Sequence, residues 1–519
     1  MTLNQKFLLL LLMTTATLRA QIMNVMIDGT GDPNEPAIWI NPKNTQHLVA
    51  GANLNNVYVS FDGGLSWQQN TLSSSYGVWG DPCIVSDTAG HFYFFHLSNP
   101  PNGNWIDRIV CQKSTDGGLT WTNGTYMGLN GAKAQDKEWA VVDPATNAIY
   151  VTWTQFDDYG SNDPNDSSVI LFSRSLDGGL TWSPAVRINK VAGNCIDSDD
   201  TAEGAVPAVG PNGEIYVAWS NRDTIYFDRS LDGGITWLDH DIVISEQPGG
   251  WDYKIPGIYR CNGLPVTKCD LSGGPFHGTI YVNWTDQRNG THNTDVFISK
   301  STDGGLTWST PLRVNDDTTE RHQFFSWMDI DQVTGHIYIV FYDRREHSNQ
   351  QTDVYLAVST DGGETFTNQK ISNSSFKPSA LVFFGDYTNI SAHNGKVAAI
   401  WTRMDGLSTS IWAAVFDVAT SVPAQQPHLL SFRMGHSYPN PTSGSAILPV
   451  EIDESGYYTL SIYHVTGQPA WCEFRNRWLK AGRHQIPIDL KSAQGAAGLY
   501  YCLFGNEKEF LIQKIQLLD

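Results

Sequence analysis

An eight-residue pattern recurs six times along this 519-residue chain, and it restricts the folds open to it. The copies are Ser60–Trp67, Ser114–Trp121, Ser175–Trp182, Ser230–Trp237, Ser301–Trp308 and Ser359–Phe366, each reading Ser-x-Asp-Gly-Gly-x-Ser/Thr-aromatic. An Asp-Gly-Gly between two β-prone runs reads as a hairpin turn, because the glycines reach positive φ and the carboxylate accepts turn N–H groups. The aromatic that closes the pattern is expected to open the return strand, where a large ring has a neighbour to pack on. The aspartates stand at 62, 116, 177, 232, 303 and 361, with gaps of 54, 61, 55, 71 and 58 residues. One hairpin signal per unit at so long a period predicts a propeller rather than a thin solenoid.

The pattern resembles the Asp box, or BNR repeat, of the sialidase superfamily. The resemblance implies that Asp62, Asp116, Asp177, Asp232, Asp303 and Asp361 are structural, since Asp boxes lie on the propeller face away from the catalytic funnel. The boxes also recur in propellers without enzymatic activity, and a fold does not fix a function.

Each copy sits inside a larger unit of four strands. For the third copy the expected strands are Trp139–Asp143, Ala148–Trp153 and Val169–Arg174, with Thr181-Trp182 opening the fourth. After the sixth copy comes one further unit without a box, carrying Phe383–Tyr387, Gly395–Trp401 and Ser410–Phe416. It offers three strands, and Ile22–Ile27 is expected to supply the fourth and close the ring, which removes the open edges. The expected fold is therefore all-β: a seven-bladed Asp-box propeller over residues 21–420, with six blades as the alternative.

Composition agrees, with 17% charged residues, 12% aromatics and 47 glycines marking a turn-rich β protein. A formal charge of −20 argues against nucleic acid or an anionic membrane surface as partner. Residues 1–20 carry Lys6 and then an apolar run too short to span a bilayer, which reads as a secretory signal peptide, and no other stretch reads as transmembrane. Export permits disulfides, and Cys261 with Cys269 and Cys472 with Cys502 are the candidate pairs among seven cysteines.

Residues 421–436 read as a linker containing Pro423 and Pro427. The tail, 437–519, contains Ser437–Gly444, Leu460–Gly467, Ala481-Gly482, Gly498–Tyr501 and Lys514–Leu518 in order. It resembles the C-terminal sorting domain of the type IX secretion system of Bacteroidetes. The resemblance implies a small antiparallel β-sandwich, an encounter with that export machinery, and a secreted or cell-surface location. A carbohydrate-binding sandwich is the alternative.

Chemistry is expected on the face opposite the boxes, where the turns between second and third strands and the blade-joining loops surround the funnel. Just past the second strands come Asn221-Arg222-Asp223, Asp286-Gln287-Arg288, Asp343-Arg344-Arg345 and Arg403-Met404-Asp405. Arginine binds carboxylates bidentately, so Arg222, Arg288, Arg344 and Arg403 are candidates for a substrate carboxylate. The alternative is that each pairs with the aspartate beside it and locks its blade. The blade-joining loops supply Glu35, Asp81, Asp136, Glu138, Glu203 and Asp386. Glycoside cleavage uses paired carboxyls, and the sialidase resemblance implies a Tyr nucleophile activated by Glu, an Asp acid/base and three arginines. The candidates for these catalytic roles are Asp136, Glu138, Glu203, Tyr253, Tyr259 and Tyr387. The family's early Arg-Ile-Pro is represented only by Lys254-Ile255-Pro256, with Arg260 four residues past the proline. The insertion from Gly249 to Phe276 holds Trp251, Tyr253, Tyr259 and Arg260, and it reads as either a sugar-stacking loop or a plug in the channel.

Asp157, Asp158, Asp163 and Asp166, and the run Asp197–Asp200, offer oxygen ligands for structural calcium, with solvated loops as the alternative. No other cofactor is expected, because no H-E-x-x-H, P-loop or G-x-S-x-G occurs. The expected function is a sialidase-like glycoside hydrolase acting on extracellular glycan or glycoprotein as a monomer. The alternative is a non-catalytic propeller binding glycan or protein at the cell surface.

Overall fold

A computed structural model describes residues 22–418, 432–435, 437–464, 469–490, 497–506 and 510–518. The expected signal peptide and most of the expected linker lie outside the described residues. Among the described residues all regular structure is β, with no helix. The chain divides into two compact units, before and after Ala419.

The first unit contains seven four-stranded antiparallel sheets. Their inner strands are Ala37–Ile40, Cys83–Ser86, Ala134–Val142, Glu203–Val209, Val266–Cys269, Gln323–Ile330 and Asn389–His393. Successive inner strands touch, and the last touches the first, so the sheets form a closed propeller-like ring. The seventh sheet has three strands from the end of the unit. Its fourth is Asn24–Asp28, paired antiparallel with Ser408–Asp417 as expected for the N-terminal segment. Asp28 fastens this closure to the first sheet by accepting Tyr58 Oη at 2.7 Å and Gln69 Nε2 at 2.9 Å. Asn24 fastens it to the sixth by donating to the Ile371 carbonyl at 2.8 Å.

Both faces of each sheet are covered, so the period-two pattern alternates between two apolar layers rather than between core and solvent. In the fourth sheet Ile215, Val217 and Trp219 pack with Tyr150, Ile170 and Phe172 of the third. The intervening Tyr216 and Ala218 pack with Val282, Trp284 and Phe297 of the fifth.

The repeated motif closes on itself. In every copy the Ser Oγ donates to the Asp carboxylate at 2.7–2.8 Å. The same Oγ accepts the second glycine's N–H at 2.8–2.9 Å. The later Ser or Thr hydroxyl donates to the other carboxylate oxygen at 2.5–2.6 Å. These donors stabilise the charged form and hold Asp177, Asp303 and Asp361 down at about 2. Because the carboxylate takes the Thr181 N–H at 2.9 Å, residue 181 cannot open a strand. The fourth strand of the third sheet is accordingly Val186–Arg187, beyond the expected Thr181-Trp182. The aromatic instead packs sideways, as Trp237 does against Phe172 of the preceding sheet at 5.1 Å.

Four of the boxes are also stapled to the preceding sheet. Lys113, Arg174, Arg229 and Lys300 directly precede a box serine, and each donates to the first glycine's carbonyl in the next box. The second glycine is needed there: at Gly305 (φ +87°) a Cβ would stand 2.2 Å from Phe227.

The second unit has two sheets around one apolar core of Phe432, Leu448, Leu460, Ile488, Phe504 and Ile515, among others. Phe432–Met434, inside the stretch read as linker, is an edge strand of the three-stranded sheet.

The expected disulfides are absent, and all seven cysteines are free. Cys472 and Cys502 sit on strands separated by Gly456–His464, roughly 10 Å apart at the usual strand spacing. Cys261 lies at the funnel end of the fifth sheet, whereas Cys269 ends the strand Val266–Cys269 that runs to the opposite face.

Candidate functional site

The funnel is built by a local deformation repeated in successive sheets. At the funnel end of the inner strands, Glu35, Asp81 and Lys137 adopt φ of 51°, 51° and 52°, and Phe325 adopts 51°. The ladders slip between Asp136 and Trp139, Glu203 and Val206, and Phe324 and Trp327. Such bulges re-aim side chains, and a left-handed non-glycine residue costs about 1–2 kcal/mol. This strain turns Glu35, Asp81, Asp136 and Lys137 into one cleft of about 620 Å³.

Asp386, from the loop into the seventh sheet, takes both cations of the cleft. Lys137 Nζ lies 2.7 Å from Oδ2, and Arg260 donates Nε to Oδ1 at 3.0 Å and a second N–H to Oδ2. Arg260 also reaches Asp197 at 2.8 Å, and Tyr159 Oη donates to the same carboxylate at 2.5 Å. The two cations hold Asp386 well below the ordinary carboxylate range against its burial. Lys137 reaches Asp81 only at 3.5 Å.

Four other acids, Glu35, Asp136, Glu138 and Glu203, are raised by burial and by neighbouring carboxylates. Desolvation, then Asp81, lifts Glu35 and Glu138, while for Glu203 it is desolvation, then Asp197 and Asp136. Desolvation also lifts Asp136, opposed by Lys137 and reinforced by Asp81. No donor reaches either carboxylate oxygen of Glu138 or Glu203, and the Tyr387 hydroxyl has no partner. Tyr387 is packed between Trp139 and Trp327, with centroids at 5.0 and 6.0 Å. With Lys137 and Asp386 it lines a cavity of about 20 Å³ below the cleft, room for about one water. At the rim Trp79 and Trp105 are 39% and 43% exposed, set edge to face at 6.4 Å. Trp105 in turn meets Tyr159 at 5.4 Å.

The sequence candidates thus separate. Asp136, Glu138, Glu203 and Tyr387 belong to the buried acid network around the channel. Tyr253 is a wall residue instead, buried with its hydroxyl bonded to the Asn262 carbonyl and Thr285. Trp251 is not a stacking platform, because it is 3% exposed and its indole N–H is donated to the Thr201 carbonyl at 3.1 Å. Tyr259 is exposed, beside Phe383 at 6.3 Å. The insertion packs inward through Trp251, Tyr253, Ile255 and Ile258, all buried, and delivers Arg260 to the cleft.

The arginines do not converge. Arg288 grips Asp286 of its own sheet at 2.5 and 2.9 Å and stacks on Phe297 at 4.2 Å. Arg403 grips Asp405 at 2.7 and 2.9 Å. In the sixth sheet Arg345 holds Asp343 at 2.7 Å and Asp316 at 2.5 Å. Arg222 is exposed, 4.0 Å from Asp200. Arg344 is buried on Phe324 and donates to the Thr352 hydroxyl at 3.0 Å and the Pro256 carbonyl at 2.7 Å; burial pulls it down to about 10. The two acidic loops are internally engaged. Asp157 takes Lys133 and Ser167, Asp166 takes Ser161, and Asp197 takes Arg260. Among the described residues no group of three His, Cys, Asp or Glu is arranged to hold a metal ion.

Sequence reasoning missed Lys137, Asp197 as an ion-pair partner, Tyr159 and the rim tryptophans.

No family model matches the chain, and no curated protein matches it. Among solved structures it is similar to the NanB sialidase from Streptococcus pneumoniae (8% identity, 76% of this chain and 94% of that one, TM-score 0.44). It is also similar to the Hadza microbial sialidase Hz136 (15%, 72% and 73%, TM-score 0.41). A third is the α-L-arabinanase of Penicillium chrysogenum (13%, 76% and 98%, TM-score 0.42).

Proposed function

We propose that the chain is an exported, seven-bladed, sialidase-like propeller whose funnel recognises extracellular glycans, and that it takes saccharides without a carboxylate rather than sialic acids. One observation carries this reading: Arg222, Arg288, Arg344 and Arg403, the arginines that would hold a substrate carboxylate, do not line the cleft, which is lined with acids. Arg260 and Lys137, the cations lining that cleft, are both bound to Asp386. An anionic sugar would have to break those pairs and face Glu35, Asp81 and Asp136. The exposed rings of Trp79 and Trp105 suit the apolar faces of a pyranose.

Hydrolysis is the second reading, favoured by the opposed environments of Asp136 and Asp386: burial raises the first, whereas Lys137 and Arg260 hold the second down against its burial. That is the division of labour an acid and a carboxylate need. The second unit is proposed as a sorting sandwich for type IX export, leaving the propeller secreted or surface-attached and monomeric.

The test is a panel of fluorogenic aryl glycosides, sialosides included, run with a glycan array on the full chain. Binding or release confined to glycans without a carboxylate supports the proposal. Release of sialic acid, or array signal confined to sialylated glycans, refutes it.

A further inference from the structure

The charge balance of the cleft points to the kind of saccharide that completes it. Glu35, Asp81 and Asp136 come from three successive sheets and line one wall. Both neighbouring cations converge on Asp386, so no basic side chain forms an ion pair with Glu35, Asp136, Glu138 or Glu203 among the described residues. Glu35 is held only by uncharged donors, Asn53 Nδ2 and the Asp386 N–H. Glu138 lies buried behind them with neither oxygen partnered, and the unpartnered Tyr387 hydroxyl feels Asp81, Glu35 and Glu138 together. Buried acids in excess of their cations leave a site for a positive charge, and the aromatic rim favours one that arrives on an apolar ring.

Resting on the glycan reading above, we infer that the saccharide carries a protonated amine, as a de-N-acetylated hexosamine does, with its ammonium against Asp136 and Asp81 and its ring on Trp105 and Trp79. An ammonium supplies three donors where the protein supplies almost none. The raised acids add a second signature. A bound cation favours their ionised forms, so protons leave the cleft as the amine enters.

The experiment is titration calorimetry of the full chain with three tetrasaccharides: glucosamine tetramer, its N-acetylated form and cellotetraose. It is run at about pH 6, below the ordinary range of an amine, in buffers of different ionisation enthalpy. The amine oligomer is expected to bind at least about tenfold tighter than both others. Its heat is expected to depend on the buffer in the direction of proton release. Asp136→Asn is expected to remove that preference, and the wild-type ranking stands as a test even without the variant. Equal affinity for the amine and cellotetraose overturns this inference alone. A tetralysine peptide binding as tightly as the amino sugar also overturns it, by showing charge recognition without a sugar. Binding of none of the three saccharides overturns the glycan reading with it.

Discussion

Replacing Lys137 by methionine removes the cation at the centre of the funnel and nothing else of comparable size. In the native structure its ammonium is buried, 2.7 Å from Asp386 and 3.5 Å from Asp81, and it also opposes the charge of Asp136 and Glu35. Breaking a buried ion pair costs about 3–5 kcal/mol, because the surviving charge is left without compensation. Arg260 still holds Asp386 in the variant, which places the loss at the lower end, about 3 kcal/mol. The pH dependence has a definite sign. Asp386 is held below its ordinary value of 3.8, so its contribution is present above that value and lost as pH falls through the depressed one. Without Lys137 the depression is smaller, and the gap between variant and wild type narrows on acidification. Urea unfolding of the full chain, followed by tryptophan fluorescence at about pH 7 and about pH 3, below the ordinary carboxylate value, reads both effects. Loss of less than about 1 kcal/mol at neutral pH, or a gap that widens in acid, would refute the reasoning. Lys137→Arg, which keeps the charge, is expected to recover part of the loss.

Glu203→Gln is expected to stabilise the first unit at neutral pH and flatten its pH dependence. The native carboxyl binds its proton more tightly folded than unfolded, so wild-type stability falls as pH rises above the ordinary value of 4.5; an unchanged pH profile contradicts this. Gly305→Ala combines a left-handed φ with a methyl group 2.2 Å from Phe227, and roughly 2–4 kcal/mol of destabilisation is expected in urea unfolding. Asp303→Ala loses the Thr307 hydroxyl, the Thr307 and Leu306 amides and Ser301, all near solvent. About 1 kcal/mol is expected, with faster hydrogen exchange confined to that turn. Because Asp303 sits at about 2, its contribution is full above 3.8 and persists until pH approaches 2. Trp105→Ala is expected to weaken glycan binding by about tenfold, whereas Arg288→Ala leaves it unchanged, since Arg288 serves Asp286.

The ring was legible because its instructions are local. Six turns specify six sheets, and the apolar run before Asp28 had no partner except the incomplete last sheet. A lysine or arginine precedes four of the box serines, at 113, 174, 229 and 300, but nothing local says that each reaches the next box. The end of the box was misread because the carboxylate takes the Thr181 amide that a strand would use. The funnel was legible only as an inventory. Asp136 and Glu203 could be named from their loops, yet Arg260 reaches Asp386 across 126 positions, and no spacing rule records that pairing. The arginines show the same limit. Asp286 with Arg288 and Asp405 with Arg403 are local pairs a sequence contains, but whether they close on themselves or open toward a ligand depends on the rotamers that neighbouring sheets impose. The cysteine pairs failed for a topological reason, because proximity along the chain ignored the strand lying between Cys472 and Cys502.

The most direct test of the funnel as a recognition site for carboxylate-free glycan is a crystal structure of the full chain soaked with the best-binding saccharide from the array. The account predicts a sugar ring on Trp79 and Trp105 with polar groups on Asp81 and Asp136, and the Arg288–Asp286 and Arg403–Asp405 pairs undisturbed. A saccharide carboxylate clasped by Arg260 or Arg344, or a sugar seated on the box face, would contradict it.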